Sequence, residues 1–322
     1  NMKFEVNFED QYNEFLANIS NMYYNENKTQ SEIAKEFNTT RFKVAKYLQE
    51  ARDKNIVNIE INHPEIRLSS LEKKFKEQFG LKEAIILKVN NNDASEYAQT
   101  LGKTAADYIQ TILNDDSIVG LTWGKTLYHA IKNIKASKKL PITVVQPFGT
   151  SGKGNISVDT PSLVHLLSDK YDSNYRLLYA PLYIMDDMVR KNLSMELVIN
   201  QSLLKAKEMD ILLTGLGTPE AIYSTLLWKE SFLQDEFIKH QAVGAIYGRL
   251  YDKEGNFLDT NLNNKVFGVD SDTIKAIENK VCIVTGKFKS VAILGALRGK
   301  LINTLITDEL TATKVLHLNS IE

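Results

Sequence analysis

The chain has 322 residues, with 39 Lys and Arg against 40 Asp and Glu, and a net charge of -1 singles out no partner by bulk electrostatics. At 43 % hydrophobic and 25 % charged residues it has the balance of a folded globular protein, and its length exceeds what one ordinary core serves, so two domains are expected. A single cysteine excludes an internal disulfide and a zinc site built from cysteine pairs. No apolar run reaches the roughly 18 residues that span a bilayer, and the acidic start has no signal-peptide core, so a cytoplasmic chain with no membrane partner is expected.

Residues 1–62 read as helices, containing neither glycine nor proline. Tyr12, Phe15, Leu16, Ile19 and Tyr23 share one face of a first helix. Thr29 and Glu32 form a capping box that opens a short helix with Ile33, Ala34 and Phe37 inward. Asn38-Thr39-Thr40 breaks it, because asparagine tolerates the left-handed backbone of a tight turn. A second helix follows with Val44, Tyr47 and Leu48 inward; Ala34 is small where the two helices cross, and Val44 packs on the same crossing. This is the pattern of a helix-turn-helix. Ile56 to Ile61 then alternates as a strand, the start of a wing.

In such a unit the second helix enters the major groove by its N-terminal residues. The candidate DNA contacts are therefore Thr39, Thr40, Arg41, Phe42, Lys43 and Lys46, with Thr29 and Gln30 at the start of the preceding helix. Residues 38–54 carry five basic and two acidic side chains, although residues 1–62 as a whole hold eight Lys and Arg against ten acids. A module so weakly basic needs a second copy and paired half-sites to hold duplex operator DNA.

Asn62-His63-Pro64 marks the boundary, since the residue before proline is pushed out of the helical region. Beyond it Leu68, Leu71, Phe75 and Phe79 form a stripe ending at Gly80, a helix that either links the regions or packs between subunits. From there short apolar runs alternate with amphipathic segments: AIILKV (84–89), SIVGLTW (117–123), ITVVQPF (142–148), RLLYAPL (176–182), DILLTGL (210–216), VGAIYGRLY (243–251), VCIVTG (281–286) and NTLIT (303–307). That alternation predicts an open, mostly parallel α/β sheet covered on both faces. Ligands in such sheets bind beyond the carboxyl ends of the strands, and several of these runs end in glycine-rich or hydroxyl-rich turns. Thr122, Gly124, Lys125 and Thr126 open one helix; Gln146, Gly149, Thr150 and Ser151 form a second turn; Gly215 and Gly217 a third; Lys289 follows a fourth. Glycines let the backbone approach a ligand, and hydroxyls and lysines at a helix start suit a phosphate. No turn matches a Walker loop or a dinucleotide fingerprint, so a small anion is expected and no cofactor.

With these residues in view, the chain resembles the SorC/DeoR-type sugar-responsive transcriptional regulators over nearly its whole length. The resemblance is carried by TTRFKVAKYLQEARDKNIV (39–57), GLTWGKTL (120–127), DILLTGLG (210–217), GAIYGRLYDKEGN (244–256) and VTGKFKSVAILGALRGKLINTLITDELTA (284–312). It implies a winged helix-turn-helix (1–62) joined to an effector and oligomerisation domain (63–322) related to sugar-phosphate isomerases and deaminases. It further implies a phosphorylated sugar effector, assembly as dimers or tetramers, and a phosphate held by Gly124, Thr126 and Lys289. Three positions depart from the family pattern. Phe148 stands where a basic residue is common, Ala245 where an acid often holds sugar hydroxyls, and Thr285-Gly286 replaces a doubled glycine.

Catalysis would need a positioned general base. The candidates are Asp252, Asp259, Asp270, His129 and His165. Asp252 reads as a turn residue and Asp270 as a helix cap, and the histidines lie on helix faces. Cys282, between apolar neighbours, reads as core. The expectation is a ligand-controlled regulator rather than an enzyme. The alternatives are an isomerase or deaminase with a DNA-binding appendage and an architectural DNA-binding protein with a decayed sugar site.

Overall fold

The computed structural model describes residues 8–59, 66–88, 94–152, 154–223 and 240–321. The chain divides into two compact units, Asn1–Pro64 and Glu65–Glu322.

The described residues of the first unit hold three helices, α1 (Phe8–Tyr24), α2 (Gln30–Glu36) and α3 (Arg41–Asp53). Leu16, Ile19, Ile33 and Val44 are fully buried, with Ala34 and Leu48 nearly so. Phe15 meets Phe37 and Tyr47 edge-on at 5.5 and 5.1 Å between ring centroids, a favoured aromatic geometry. The capping box is formed: the Thr29 amide donates to Glu32 at 2.8 Å while the Glu32 amide donates to Thr29 Oγ1 at 3.3 Å. Asn38 takes the left-handed backbone at φ 47°. Thr40 Oγ1 then caps α3, accepting from the Lys43 amide at 3.3 Å.

The wing is where sequence and structure part. Asn55 adopts φ 56°, and the amides of Ile56 and Val57 both donate to the Ala51 carbonyl, at 2.9 and 3.1 Å. These residues wrap the carboxyl end of α3, satisfying an orphan helix carbonyl instead of entering a ladder. No strand forms over residues 56–59, and Glu60, Ile61 and the expected boundary Asn62-His63-Pro64 lie outside the described residues.

The second unit is built on a parallel sheet of seven strands. In chain order the strands are β1 (Glu83–Leu87), β2 (Ile118–Leu121), β3 (Thr143–Val145), β4 (Asn174–Arg176), β5 (Ile211–Thr214), β6 (Gly244–Ile246), β7 (Arg249–Tyr251), β8 (Asn279–Ile283) and β9 (Thr304–Asp308). The spatial order is β1-β9-β8-β5-β2-β3-β4, with β6 and β7 forming a separate antiparallel pair. Successive residues of β1 serve opposite cores: Ile85 and Leu87 face one layer, Ala84 and Ile86 the other. One layer is formed by α5 (Ala94–Ile112), α6 (Lys125–Asn133) and α7 (Thr160–Tyr171) through Leu101, Ile131 and Leu163. The other includes α4 (Ser69–Phe79) and the two helices Ser290–Arg298 and Glu309–Ile321.

The stripe on α4 is spent inside this unit. Phe75 is fully buried, Leu68, Leu71 and Phe79 pack on the same core, and Gly80 ends the helix at φ 64°. Glu72 anchors it further, held by Arg67 at 2.8 and 2.9 Å and by the Ile86 amide at 3.0 Å. The helix is therefore neither a bare linker nor a stripe reserved for a second subunit.

Two of the apolar runs differ from expectation. Of RLLYAPL only Arg176 lies in a strand, since β4 runs Asn174–Arg176; further on, Pro181 makes an isolated parallel bridge with Thr150. VGAIYGRLY is a hairpin, not a member of the sheet: Ile246 pairs with Arg249 around Tyr247 (φ 55°) and Gly248 (φ 74°). Positive φ at both central residues is what a two-residue turn between right-twisted strands requires.

Candidate functional site

From β2 the chain steps outward through β3 to β4, then returns to β5 and continues the other way through β8 to β9. The crevice between the carboxyl ends of β2 and β5 is thus the switch point of the sheet, where open α/β folds bind ligands. A cavity of about 690 Å³ opens there, within the usual range for a small-molecule site.

One wall consists of strand ends and the turns that follow them: Thr122, Trp123, Gly124, Lys125 and Thr126 after β2, Ser151 and Gly152 after β3, Thr214 to Gly217 around the end of β5, and Lys289 after β8. Gly124 caps α6 at φ 127° and no side chain caps that helix, so its first amides keep their capacity for an anion. Thr126 is pinned by donating to the Ile283 carbonyl at 3.1 Å, which ties α6 to β8. Thr122 Oγ1 donates to Thr214 Oγ1 at 3.1 Å, bridging β2 and β5. The Ser151-Gly152 turn is held by Asp159, which accepts from the Ser151 hydroxyl at 3.1 Å and the Gly152 amide at 3.2 Å.

Lys289 follows the turn Thr285-Gly286. That turn is braced by Asp308, which accepts from Thr285 Oγ1 at 2.6 Å and Thr311 Oγ1 at 2.7 Å, while Thr311 accepts from the Gly286 amide at 3.0 Å. Burial pushes the Lys289 amine below the usual lysine range, and no carboxylate opposes this among the described residues. A half-buried amine with no acid partner suits an anion. Lys125 lines the cavity but is exposed.

The opposite wall comes from Leu182 and Tyr183, Ala221 and Ile222, which were not among the expected site residues, and from the hairpin residues Ala245 to Gly248, of which the family resemblance singles out Ala245 as the sugar-side position. Tyr183, Ile222 and Ala245 belong to one apolar cluster with Leu250 and Leu262. Nothing in these apolar letters distinguishes a cavity wall from a core.

Eight of the expected effector residues meet on the cavity: Thr122, Gly124, Lys125, Thr126, Ser151, Gly215, Gly217 and Lys289. Gln146, Gly149 and Thr150 do not line it. Gln146 is buried and spends its amide on the Phe148 carbonyl (3.0 Å), Thr150 Oγ1 (3.2 Å) and the Leu178 amide (3.1 Å). Gly149 lies against the Pro181 backbone, where a Cβ would come within 2.2 Å of the Pro181 oxygen. Thr150 pairs with the same segment, its amide donating to Ala180 at 2.8 Å. Phe148 is buried and stacks on Tyr247 at 5.9 Å, with the Arg249 guanidinium 5.7 Å from its ring centroid.

The catalytic candidates find structural employment. Asp252 accepts from the amides of Glu254 and Asn256 at 3.0 and 2.9 Å, and Asp270 from that of Thr273 at 2.8 Å. His165 packs on Tyr175. His129 sits where a Cβ on Gly102 of α5 would approach its own to 2.7 Å. Cys282 is fully buried, which pushes its thiol up to about 12.

In the first unit, Thr29, Thr40, Arg41, Phe42, Lys43 and Lys46 are exposed, with Gln30 and Thr39 half-buried. Phe42 stands 76 % exposed at the start of α3, with the Arg41 guanidinium 5.3 Å from its ring centroid. The hydroxyls of Thr29 and Thr40 are engaged as helix caps, so the unoccupied polar groups of this face are the cations of α3.

Residues 63–317 match the family described as "Putative sugar-binding domain". The chain belongs to this family. Among relatives of the sugar-binding-domain chain, the Deoxyribonucleoside regulator of Bacillus subtilis (strain 168) is 27 % identical over 299 residues, spanning 92 % of this chain and 95 % of the relative. The Sorbitol operon regulator of Klebsiella pneumoniae is 26 % identical over 306 residues, spanning 94 % and 97 %. The crystal structure of the full-length sorbitol operon regulator SorC from Klebsiella pneumoniae superposes with a TM-score of 0.74 at 25 % identity, covering 94 % of this chain and 98 % of that one. Each of these matches covers at least 92 % of this chain and so extends into both units.

Proposed function

We propose that the chain is a DNA-binding transcriptional regulator whose operator affinity is set by a phosphorylated sugar bound at the β2/β5 switch point. The observation that carries this reading is Lys289. Its half-buried amine has no acid partner among the described residues and lines the same cavity as the uncapped start of α6. Thr122, Gly124, Lys125, Thr126, Ser151, Gly215 and Gly217 complete the phosphate side. The relatives named as operon regulators, and the exposed Arg41, Phe42, Lys43 and Lys46 at the start of a capped helix, supply the DNA half. A chain that binds duplex DNA in this way works in the cytoplasm and as a symmetric pair, because one weakly basic module lacks the charge to hold an operator alone.

An enzymatic reading finds little support at the cavity. Among the described residues its lining contains no carboxylate and no imidazole to act as general base.

The direct test is operator binding followed by fluorescence anisotropy, with and without a panel of sugar phosphates. One sugar phosphate shifts the operator Kd by about 5- to 150-fold, the range of ordinary allosteric coupling. DNA affinity indifferent to every phosphate would leave an architectural protein. Within the same assay, Arg41→Ala weakens operator binding by about 1–3 kcal/mol if the guanidinium reads a base. A loss shared equally by specific and random DNA assigns it to a phosphate contact instead.

The lowered amine also sets a pH signature. Lys289 is charged below its pKa and neutral above it, so affinity for a doubly ionised phosphate falls as pH rises, and does so below the usual lysine range of about 10.4. Calorimetric titrations carried from about pH 7 up through the usual lysine value of about 10.4 show this decline in wild type, while Lys289→Arg stays flat because a guanidinium keeps its proton. A flat wild-type profile would remove Lys289 from the ligand contacts.

A further inference from the structure

The two walls of the cavity are chemically unequal, and every hydroxyl in its described lining is already committed as a donor. Thr122 donates to Thr214, Thr214 to the Gly215 carbonyl, and Thr126 to the Ile283 carbonyl, at 3.1, 2.7 and 3.1 Å. Ser151 donates to Asp159 at 3.1 Å. The two phenols of the far wall turn away from the ligand space: Tyr183 donates to the Gly248 carbonyl at 2.6 Å and Tyr247 to the Leu301 carbonyl at 2.8 Å. The backbone is closed at one point of this wall. Gly217 and Ala245 exchange both hydrogen bonds, at 3.0 and 2.9 Å. At Ala245 the side chain offers a methyl group to the cavity.

The capacity left on the strand-end wall is cations, amides and hydroxyl oxygens that can still accept, while the described hairpin wall offers methyl groups and ring faces. A polyhydroxylated sugar would lose water from the hydroxyls that face the described hairpin side chains without regaining partners from them, and a buried polar group without a partner is costly. A ligand with a phosphate and a carbon body poor in hydroxyls meets both walls. Resting on the reading of this cavity as a phosphate site, we infer that the effector is a phosphate ester of low hydroxyl content, a deoxygenated sugar phosphate rather than a fully hydroxylated one.

The experiment compares matched pairs on the purified full chain by calorimetry: 2-deoxyribose 5-phosphate against ribose 5-phosphate, and 2-deoxyglucose 6-phosphate against glucose 6-phosphate, with phenyl phosphate as an apolar reference. Each deoxygenated member binds about ten-fold or more tightly than its partner, the order of discrimination that one hydroxyl brings to an apolar pocket, and phenyl phosphate also binds. Ala245→Asp, which restores an acceptor on the hairpin wall, narrows or reverses the preference; the wild-type comparison stands even if that variant folds poorly. Equal or tighter binding of the hydroxylated members overturns the inference and leaves the phosphate site intact. No binding by any of the five esters, in wild type and in Lys289→Ala alike, overturns the phosphate site itself.

Discussion

Lys289→Ala abolishes most of the affinity for a phosphorylated sugar without lowering the stability of the unliganded protein. The amine is half-buried, has no acid partner among the described residues, and is held in its neutral-favouring environment by burial. Its charged form therefore costs folding free energy at neutral pH, because a lysine whose folded pKa is depressed destabilises the fold below that pKa. Removing it relieves that cost and loses the amine's contact with the exposed Phe288 ring, 5.7 Å away. A bound phosphate, by contrast, would lose its desolvated counter-charge, an effect of about 2–4 kcal/mol or roughly 30- to 1,000-fold in Kd. Lys125, exposed on α6, is screened by water, and Lys125→Ala costs at most about 1 kcal/mol. Calorimetric titration of both variants with the same ester checks the ranking. Equal losses at the two positions would mean that the phosphate sits at the helix start and leaves Lys289 outside.

The strand-end wall was legible because its letters have few other uses. Gly124, Gly215 and Gly217 follow apolar runs that could only be buried strands, and a lysine after such a turn has no packing role to explain it. The same rule misplaced Gly149. A glycine after a strand permits close approach of something, and the sequence does not say whether that is a ligand or another stretch of backbone; here it is Pro181. Gln146 was misjudged for a related reason, since a polar residue at a strand end can face a ligand or staple two loops, and its amide staples Phe148, Thr150 and Leu178. Of the hairpin wall only Ala245 was marked, through the family resemblance, and the hairpin itself was not. Tyr247-Gly248 supports a tight turn, but the pair lacks the Asn-Gly signature that announces one, so VGAIYGRLY passed for a further strand of the sheet. In the first unit, Thr40, expected as a DNA contact, proves to cap α3. Thr29, Glu32 and Asn38 act through local geometry that depends only on near neighbours, and all three were readable. Ile56 and Val57 were not, because β-branched alternation describes a strand and a helix end wrapped by apolar residues equally well.

Gly149→Ala is expected to be among the most damaging single-methyl additions to the second unit. The new Cβ would stand 2.2 Å from the Pro181 oxygen, 2.4 Å from its carbonyl carbon and 2.6 Å from the Leu182 nitrogen, all backbone atoms without a rotamer to yield. The opposing segment cannot slide away cheaply. The Thr150 amide donates to Ala180 at 2.8 Å, the Leu182 amide to Thr150 at 2.9 Å and the Phe267 amide to Leu182 at 2.7 Å, while Gly149 itself donates to Phe267 at 2.9 Å. Making room means breaking part of this lattice in a buried place, which adds lost hydrogen bonds to ordinary overpacking and costs about 3–5 kcal/mol. For a unit of this size that lowers Tm by roughly 6–20 °C. Gly154→Ala, whose Cβ would meet nothing within 4 Å, changes stability by no more than about 0.5 kcal/mol. The pair separates two roles for Gly149 that the sequence leaves equivalent. If the glycine admits the Pro181 backbone, stability falls first and ligand affinity follows, because Leu182 and Tyr183 line the cavity beside that segment. If it admits the ligand, affinity falls in a protein that melts like wild type.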